Sequence, residues 1–121
     1  MTAPLAFLDF DYTEDDQGHG SFDAMAAVAP AQWRALHDEV VAVLDWAQAG
    51  FGAPGPVGEG AEWDLELQGV REVATTLVVG YAPGAGLRLQ DGPTGAPRTT
   101  LSVTLSGTPA FCEAFRQAFG S

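Results

Sequence analysis

The stretch "TTLSVTLSGTPAFCEAFRQAFG", residues 99–120, changes its hydrophobic period halfway along. In its first part Leu101, Val103 and Leu105 alternate with Ser and Thr, which is typical of a β-strand with one buried face. From Thr108, a residue favoured at a helix N-cap and followed here by Pro, the apolar spacing becomes that of a helix. The stretch therefore predicts a strand and a helix joined by a short turn.

Two helices are predicted, and each has one apolar face. The first covers residues 31–49, with Pro30 in its first turn and Gly50 beyond its end. Its apolar arc consists of Trp33, Leu36, Val40, Val43, Leu44 and Ala47. The second covers residues 109–119 and carries its phenylalanines mainly on one side. We expect both helices to pack by these faces.

Alternation of apolar and polar residues predicts the other strands, at residues 8–13, 22–28, 62–68, 73–81 and, as a short strand, 87–90. The Ala-rich segment 22–29 fits a strand or a helical turn, and both interpretations stay open. The segment 73–81 is apolar on both sides, which favours a central position in the sheet. Gly/Pro clusters at 50–60, 82–86 and 90–98 predict loops.

The short connections favour an α+β fold in a single domain spanning residues 1–121. We predict a mostly antiparallel sheet of four to six strands, with the helices 31–49 and 109–119 packed on one face. The chain has 121 residues, of which 46% are apolar, and this is enough to form one hydrophobic core and to exclude a disordered chain.

The charge of the chain restricts its partners. Sixteen Asp and Glu against five Arg, with no Lys, give a formal net charge of -11. Such a surface repels nucleic-acid phosphates and anionic lipids, so we expect neither nucleic-acid nor membrane binding. The same field attracts a basic protein, although net charge also keeps small proteins soluble.

The composition also predicts a compartment. Cys112 is the single cysteine, and the first residues lack the basic and apolar segments of a signal peptide. No run approaches the roughly 18 to 20 apolar residues of a membrane span. We therefore expect a cytoplasmic protein. The absence of Lys, Asn and Ile beside abundant Ala, Gly and Pro leads to the hypothesis of a GC-rich bacterial genome.

The segment Asp9-Phe10-Asp11-Tyr12-Thr13 has the D-x-D-x-T spacing and resembles the opening motif of the haloacid-dehalogenase-type phosphatases. The resemblance implies a nucleophilic Asp, a second Asp as general acid, and bound Mg²⁺. The chain departs from the family in having Tyr12 in place of Gly, no Lys, and little βα alternation. The alternative is that i, i+2 spacing simply places Asp9 and Asp11 on the wet face of a strand.

The remaining candidates for chemistry favour structural roles. The acidic run at 14–16 fits a loose divalent-cation site only if something neutralises its adjacent carboxylates, and the EF-hand spacing fails. His19 and His37 lack the neighbours of a zinc site. Cys112 lies beside phenylalanines, as a core residue does. We predict no cofactor and no metal site.

The acidic residues of the alternating segments favour a binding function. If the sheet packs against both helices, its open face carries Asp9, Asp11, Glu62, Asp64 and Glu66, beside Thr100, Ser102 and Thr104. Such a surface suits a basic partner, anchored by an exposed aromatic such as Trp46. We predict a noncatalytic protein-binding or inhibitory module. The alternatives are a metal-assisted hydrolase or phosphatase using the Asp9/Asp11 pair, and an ordinary solvated sheet face.

Overall fold

A computed structural model describes residues 5–120 of the chain. Its strands are β1 (Asp11–Glu14), β2 (Gly20–Val28), β3 (Trp63–Glu72), β4 (Thr75–Ala82), β5 (Gly86–Thr94) and β6 (Arg98–Gly107). Its helices are α1 (Trp33–Phe51) and α2 (Pro109–Phe119), with short 3-10 turns at Pro30–Gln32 and Val57–Glu59. The strands pair antiparallel in two sheets, so the predicted α+β class with antiparallel pairing is confirmed.

The main sheet has four strands in the order β1-β2-β6-β3. On one face, alternate residues of β2 and β6 are buried, such as Phe22 and the Leu105 that pairs with it. Both helices contribute to the same hydrophobic core: α1 buries Leu36, Val40, Val43 and Ala47, and α2 buries Phe111, Cys112 and Phe115. Within residues 5–120, neither helix packs on the other face of the sheet, and we call this the open face.

The centre of the core is aromatic. The rings of Trp63 and Phe111 stack with centroids 5.8 Å apart and an interplanar angle of 7°. The Trp63 indole Nε1 also donates a hydrogen bond to the Gly52 carbonyl at 2.8 Å, so its polar atom is satisfied inside the fold. These contacts fix the end of α1, the start of β3 and helix α2 against one another.

Helix α1 holds the chain segment that precedes β1. The two carboxylate oxygens of Glu39 accept hydrogen bonds from three successive backbone N–H groups, those of Ala6, Phe7 and Leu8. The Phe7 and Leu8 bonds, both to Oε2, measure 2.9 and 2.7 Å. This clamp takes the place of the strand pairing that the sequence predicted from residue 8, because regular pairing with β2 begins only at Asp11.

Several predicted boundaries need correction. Helix α1 begins at Trp33 and ends at Phe51, whereas the prediction was 31–49, because Pro30 opens a 3-10 turn first. The segment 22–29, for which a helical turn was left open, is a strand as far as Val28 and forms part of β2. The loop predicted at 90–98 is wrong over its first part, since β5 continues to Thr94.

The largest correction concerns the hairpin of β4 and β5, which we call the β4–β5 ribbon. The segment 73–81 was predicted to lie centrally, but every residue of β4 is exposed and β5 is exposed apart from partly buried Gly92. The two strands form a sheet of their own, outside the four-stranded one. The register of the ribbon shifts at its base, between Thr75 and Leu77, and there a Cβ added to Gly92 would meet the Thr76 carbonyl oxygen at 2.8 Å.

Candidate functional site

The open face carries a continuous row of side chains across all four strands. Asp11 of β1 pairs with Asp23 of β2, Asp23 with Thr104 of β6, and Thr104 with Glu66 of β3. Residues paired across strands point to the same side of a sheet. The next row contains Thr13, Ser21, Ser106 and Asp64. Of the four carboxylates in these two rows, those of Asp11, Asp23 and Glu66 are exposed, and that of Asp64 is partly buried.

These carboxylates lack cationic partners. Within residues 5–120, the ion pairs shorter than 4.0 Å join Asp38 to Arg34 and to His37, all on α1. Asp23 is held instead by the Thr104 hydroxyl, whose Oγ1 donates to Oδ1 at 2.7 Å. Because Asp11 lies directly opposite Asp23, like charges face each other across the pair, which is unfavourable unless a cation approaches.

The open face also carries exposed apolar side chains, in the rows beside the open-face acids. Met25 is 68% exposed and pairs with Ser102, and Val70 is 54% exposed and pairs with Thr100. Sequence reasoning missed Asp23 and Met25 as site residues. The signal was present, because both alternate with the buried residues of β2, but a helical turn had been left open beside the strand interpretation of this segment.

The other predicted site residues lie apart from this row. Asp9 is exposed, precedes β1 and lines a cleft between β1 and α2, whereas Asp11 lies on the open face. The structure thus does not bring Asp9 and Asp11 into one site. Glu62 precedes β3, and its carboxylate accepts a 2.6 Å hydrogen bond from the hydroxyl of Thr108, the N-cap of α2. Glu62 therefore holds the N-cap residue of α2 in place.

The cleft between β1 and α2 has a volume of about 1360 Å³, and its lining combines aromatic side chains with charged and polar ones. Trp46 lies on its wall, partly buried, with its ring centroid 5.8 Å from that of Phe115 and 5.2 Å from that of Phe119. The prediction that Trp46 is an exposed anchor is therefore wrong. The Arg116 guanidinium lies 5.0 Å from the centre of the Tyr12 ring, a cation–π contact with the ring face.

Cys112 borders the cleft but is only 2% exposed, in agreement with its interpretation as a core residue. Its Sγ lies 3.5 Å from the Gly107 carbonyl oxygen and donates to it. Burial is the main cause that raises the pKa of the thiol, with Tyr12 and Arg116 acting in the opposite direction. The thiolate, which is the nucleophilic form, is therefore disfavoured.

Tyr12 gives a test of the electrostatics of this cleft. Burial, then Cys112 and Glu14, raise the pKa of Tyr12 from 10.0 to about 12. In a Tyr81→Phe variant, which keeps Tyr12 as the single tyrosine, we expect tyrosinate absorbance to appear with a midpoint of about 12. The folded state then holds the proton more tightly than the unfolded state. Stability is therefore expected to fall as pH rises from 10.0 to about 12.

The same variant unfolded in denaturant is the control, and its tyrosine should titrate near 10.0. A folded-state midpoint that matches the unfolded one would contradict the proposed burial of Tyr12.

Comparison with known proteins gives no information about function, so a proposal must rest on the geometry of the chain. The chain matches no protein-family model, no curated protein and no solved structure. Over residues 5–120, no helix is long and apolar enough to cross a membrane. In the same range, no three His, Cys, Asp or Glu side chains form a group that could hold a metal ion.

Proposed function

We propose that this chain is a noncatalytic protein-binding module whose open face binds a basic protein. The observation that carries the proposal is the row Asp11-Asp23-Thr104-Glu66, with Asp64 beside it, which has carboxylates on three strands and no ion-paired cation. Lys or Arg side chains of a partner would relieve the repulsion between Asp11 and Asp23. Complementary charge of this kind steers encounter and fixes orientation.

The open face also has groups that suit the interior of an interface. Met25 takes the anchoring role that the sequence gave to Trp46, because it is exposed beside the acidic row and its flexible thioether adapts to different surfaces. Ser102 and Thr104 supply hydroxyls that donate or accept hydrogen bonds. Apolar contact surrounded by polar groups is the usual composition of a protein interface.

The alternative of a phosphatase or metal-assisted hydrolase requires Asp9 and Asp11 in one concave site. The separation of Asp9, in the cleft, from Asp11, on the open face, favours the binding function. We also propose a cytoplasmic, bacterial setting, which the single buried Cys112 and the composition support. Inhibition is one form of the proposed binding, if the partner is a basic enzyme.

The test compares two double variants of equal net charge. Asp11→Lys with Glu66→Lys reverses both ends of the open-face row, and Asp45→Lys with Glu113→Lys reverses two exposed acids on the helices. Each pair changes the formal charge from -11 to -7, because each substitution adds two charges. Lysozyme and cytochrome c serve as compact basic probes, and titration calorimetry at low and physiological salt gives the dissociation constants.

We expect the open-face pair to weaken binding by about ten-fold or more, and the helix pair to change it by no more than about three-fold. Binding of the unmodified chain should weaken as salt rises, because exposed charges are screened. Equal losses in the two double variants would mean that net charge alone drives association, and would overturn the assignment to the open face.

A further inference from the structure

The β4–β5 ribbon has two different faces. Its pairing places Val79 opposite Leu89 and Tyr81 opposite Leu87, so these four side chains share one face with Leu77. The reverse face carries Val78 opposite Gln90, and Gly80 opposite Arg88. One face is therefore apolar along its length, with a single charged residue, Asp91, at its base opposite Leu77. We call the side formed by Leu77, Val79, Tyr81, Leu87 and Leu89 the apolar ribbon face.

The apolar ribbon face is not covered by any described part of the chain. Its side chains range from 48% exposed at Leu77 to 73% at Tyr81. An isolated two-stranded hairpin is marginally stable in water, and it needs a further strand or a packing surface. A contiguous apolar patch of this size on a small protein marks a place of association.

The charge of the ribbon and its flanks identifies a second copy as the occupant. Residues 71–98 contain three Arg and two carboxylates, a net charge of +1. The rest of the chain contains two Arg and fourteen carboxylates, a net charge of -12. The electrostatic repulsion between two copies therefore comes from the rest of the chain and is weakest along this segment. A basic partner, by contrast, would be steered away from the ribbon and toward the open face.

We propose that two copies of this chain associate through the apolar ribbon face, ribbon against ribbon. A two-fold contact needs a surface that is complementary to itself, and an apolar strip of Leu, Val and Tyr satisfies this. At about 3.4 Å per residue, the eight residues of β4 extend about 27 Å, so ribbons that run antiparallel in the contact place the two acidic bodies at its opposite ends. The contact covers the patch and keeps the repelling surfaces apart.

The test uses two charge-neutral double variants on the same two strands. Val79→Glu with Leu89→Lys places a charged pair on the apolar ribbon face, and Val78→Glu with Gln90→Lys places the same pair on the reverse face. Both pairs are cross-strand neighbours, so any effect on the hairpin itself is matched. Sedimentation and light scattering across the micromolar range give the mass of the full chain.

We expect the unmodified chain to have twice the 12.6 kDa mass of one copy. The Val79/Leu89 variant should dissociate at least about ten-fold more readily, because its charges must be desolvated in the contact. The Val78/Gln90 variant should remain a dimer. Tryptophan fluorescence checks that each variant is folded, since Trp33, Trp46 and Trp63 all lie outside the ribbon.

Three results would overturn the proposal. The first is an unmodified chain that stays at 12.6 kDa across this range, whether or not it binds phosphatidylcholine vesicles. The second is equal dissociation of both double variants. The third is a dimer that separates on adding salt, since this would indicate ribbon arginines on the acidic body. The open-face variant Asp11→Lys with Glu66→Lys should still form the dimer. This result would show that the dimer does not depend on the open face, so the two proposals can fail independently.

Discussion

Phe111→Ala is expected to lower the free energy of unfolding by about 3–5 kcal/mol. Phe111 is fully buried, and its ring is stacked on Trp63 and lies 5.2 Å from that of Phe51, measured between centroids. Three elements meet at this ring, so the cavity left by its removal cannot collapse without moving α1, α2 and β3 together. Urea unfolding followed by tryptophan fluorescence measures the change.

Phe119→Ala is the matched control, because it removes an equal side chain from the same helix. Phe119 is only partly buried, at the edge of the aromatic cluster. We expect it to cost less than half as much as Phe111→Ala, since its site is already open to solvent. Equal losses would mean that Phe111 is not central to the core.

Gly107→Ala is expected to destabilise the fold by about 1–3 kcal/mol, although alanine normally suits a strand better than glycine. A Cβ at this position would overlap the Phe111 ring, and it would lie 2.7 Å from Cγ. The ring cannot retreat, because Trp63 is stacked beside it. Chemical denaturation at constant pH measures the difference.

Gly20→Ala provides the comparison, since Gly20 pairs directly with Gly107 in the adjacent strand. Its Cβ would meet the Tyr12 ring at 2.5 Å, a contact of similar closeness. Tyr12 is partly exposed and can rotate outward, so we expect a cost below about 1 kcal/mol. If Gly107→Ala proved as mild as Gly20→Ala, the packing around Phe111 would be looser than the structure indicates.

The sequence predicted those elements whose apolar pattern matches their burial within the chain. The alternation of Leu101, Val103 and Leu105 predicted β6, and both helices were found because their apolar faces meet the core. Trp46 was placed wrongly because it lies at the border of the α1 face, where periodicity does not distinguish a solvent-exposed ring from one packed on α2.

The segment 73–81 shows where sequence patterns fail for a physical reason. A run such as Leu77-Val78-Val79 has the composition of a strand that must be covered, and this is what its central placement assumed. The apolar composition indicates that the strand must be covered, but it does not indicate which surface covers it. If the proposed dimer forms, the prediction of burial was sound and the error lay in assigning the cover to the same chain.

The acidic row could likewise be predicted only in part from the sequence. Asp11, Asp64 and Glu66 could be assigned to the open face from period-2 spacing alone. Asp23 also alternates with buried residues, but its position between Asp11 and Thr104 depends on the register Asp11↔Asp23 and Asp23↔Thr104. Register comes from long-range pairing, and local spacing does not contain it.

The pairing of β2 with β6 also affects the order of folding. The bonded side chains of Asp23 and Thr104 are 81 residues apart in the chain, and closing so long a loop is slow. The turn at 83–85 instead joins β4 and β5 in a local hairpin. Beyond the ribbon, the Gly95 N–H donates a 2.8 Å hydrogen bond to the Ala74 carbonyl, and the same two chain segments continue as the paired strands β3 and β6. We expect strand pairing to start at this turn and to extend along β3 and β6, with β2 pairing last. The ribbon, which buries almost nothing in the finished fold, would then hold β3 and β6 in register before the slow step in which β2 joins them.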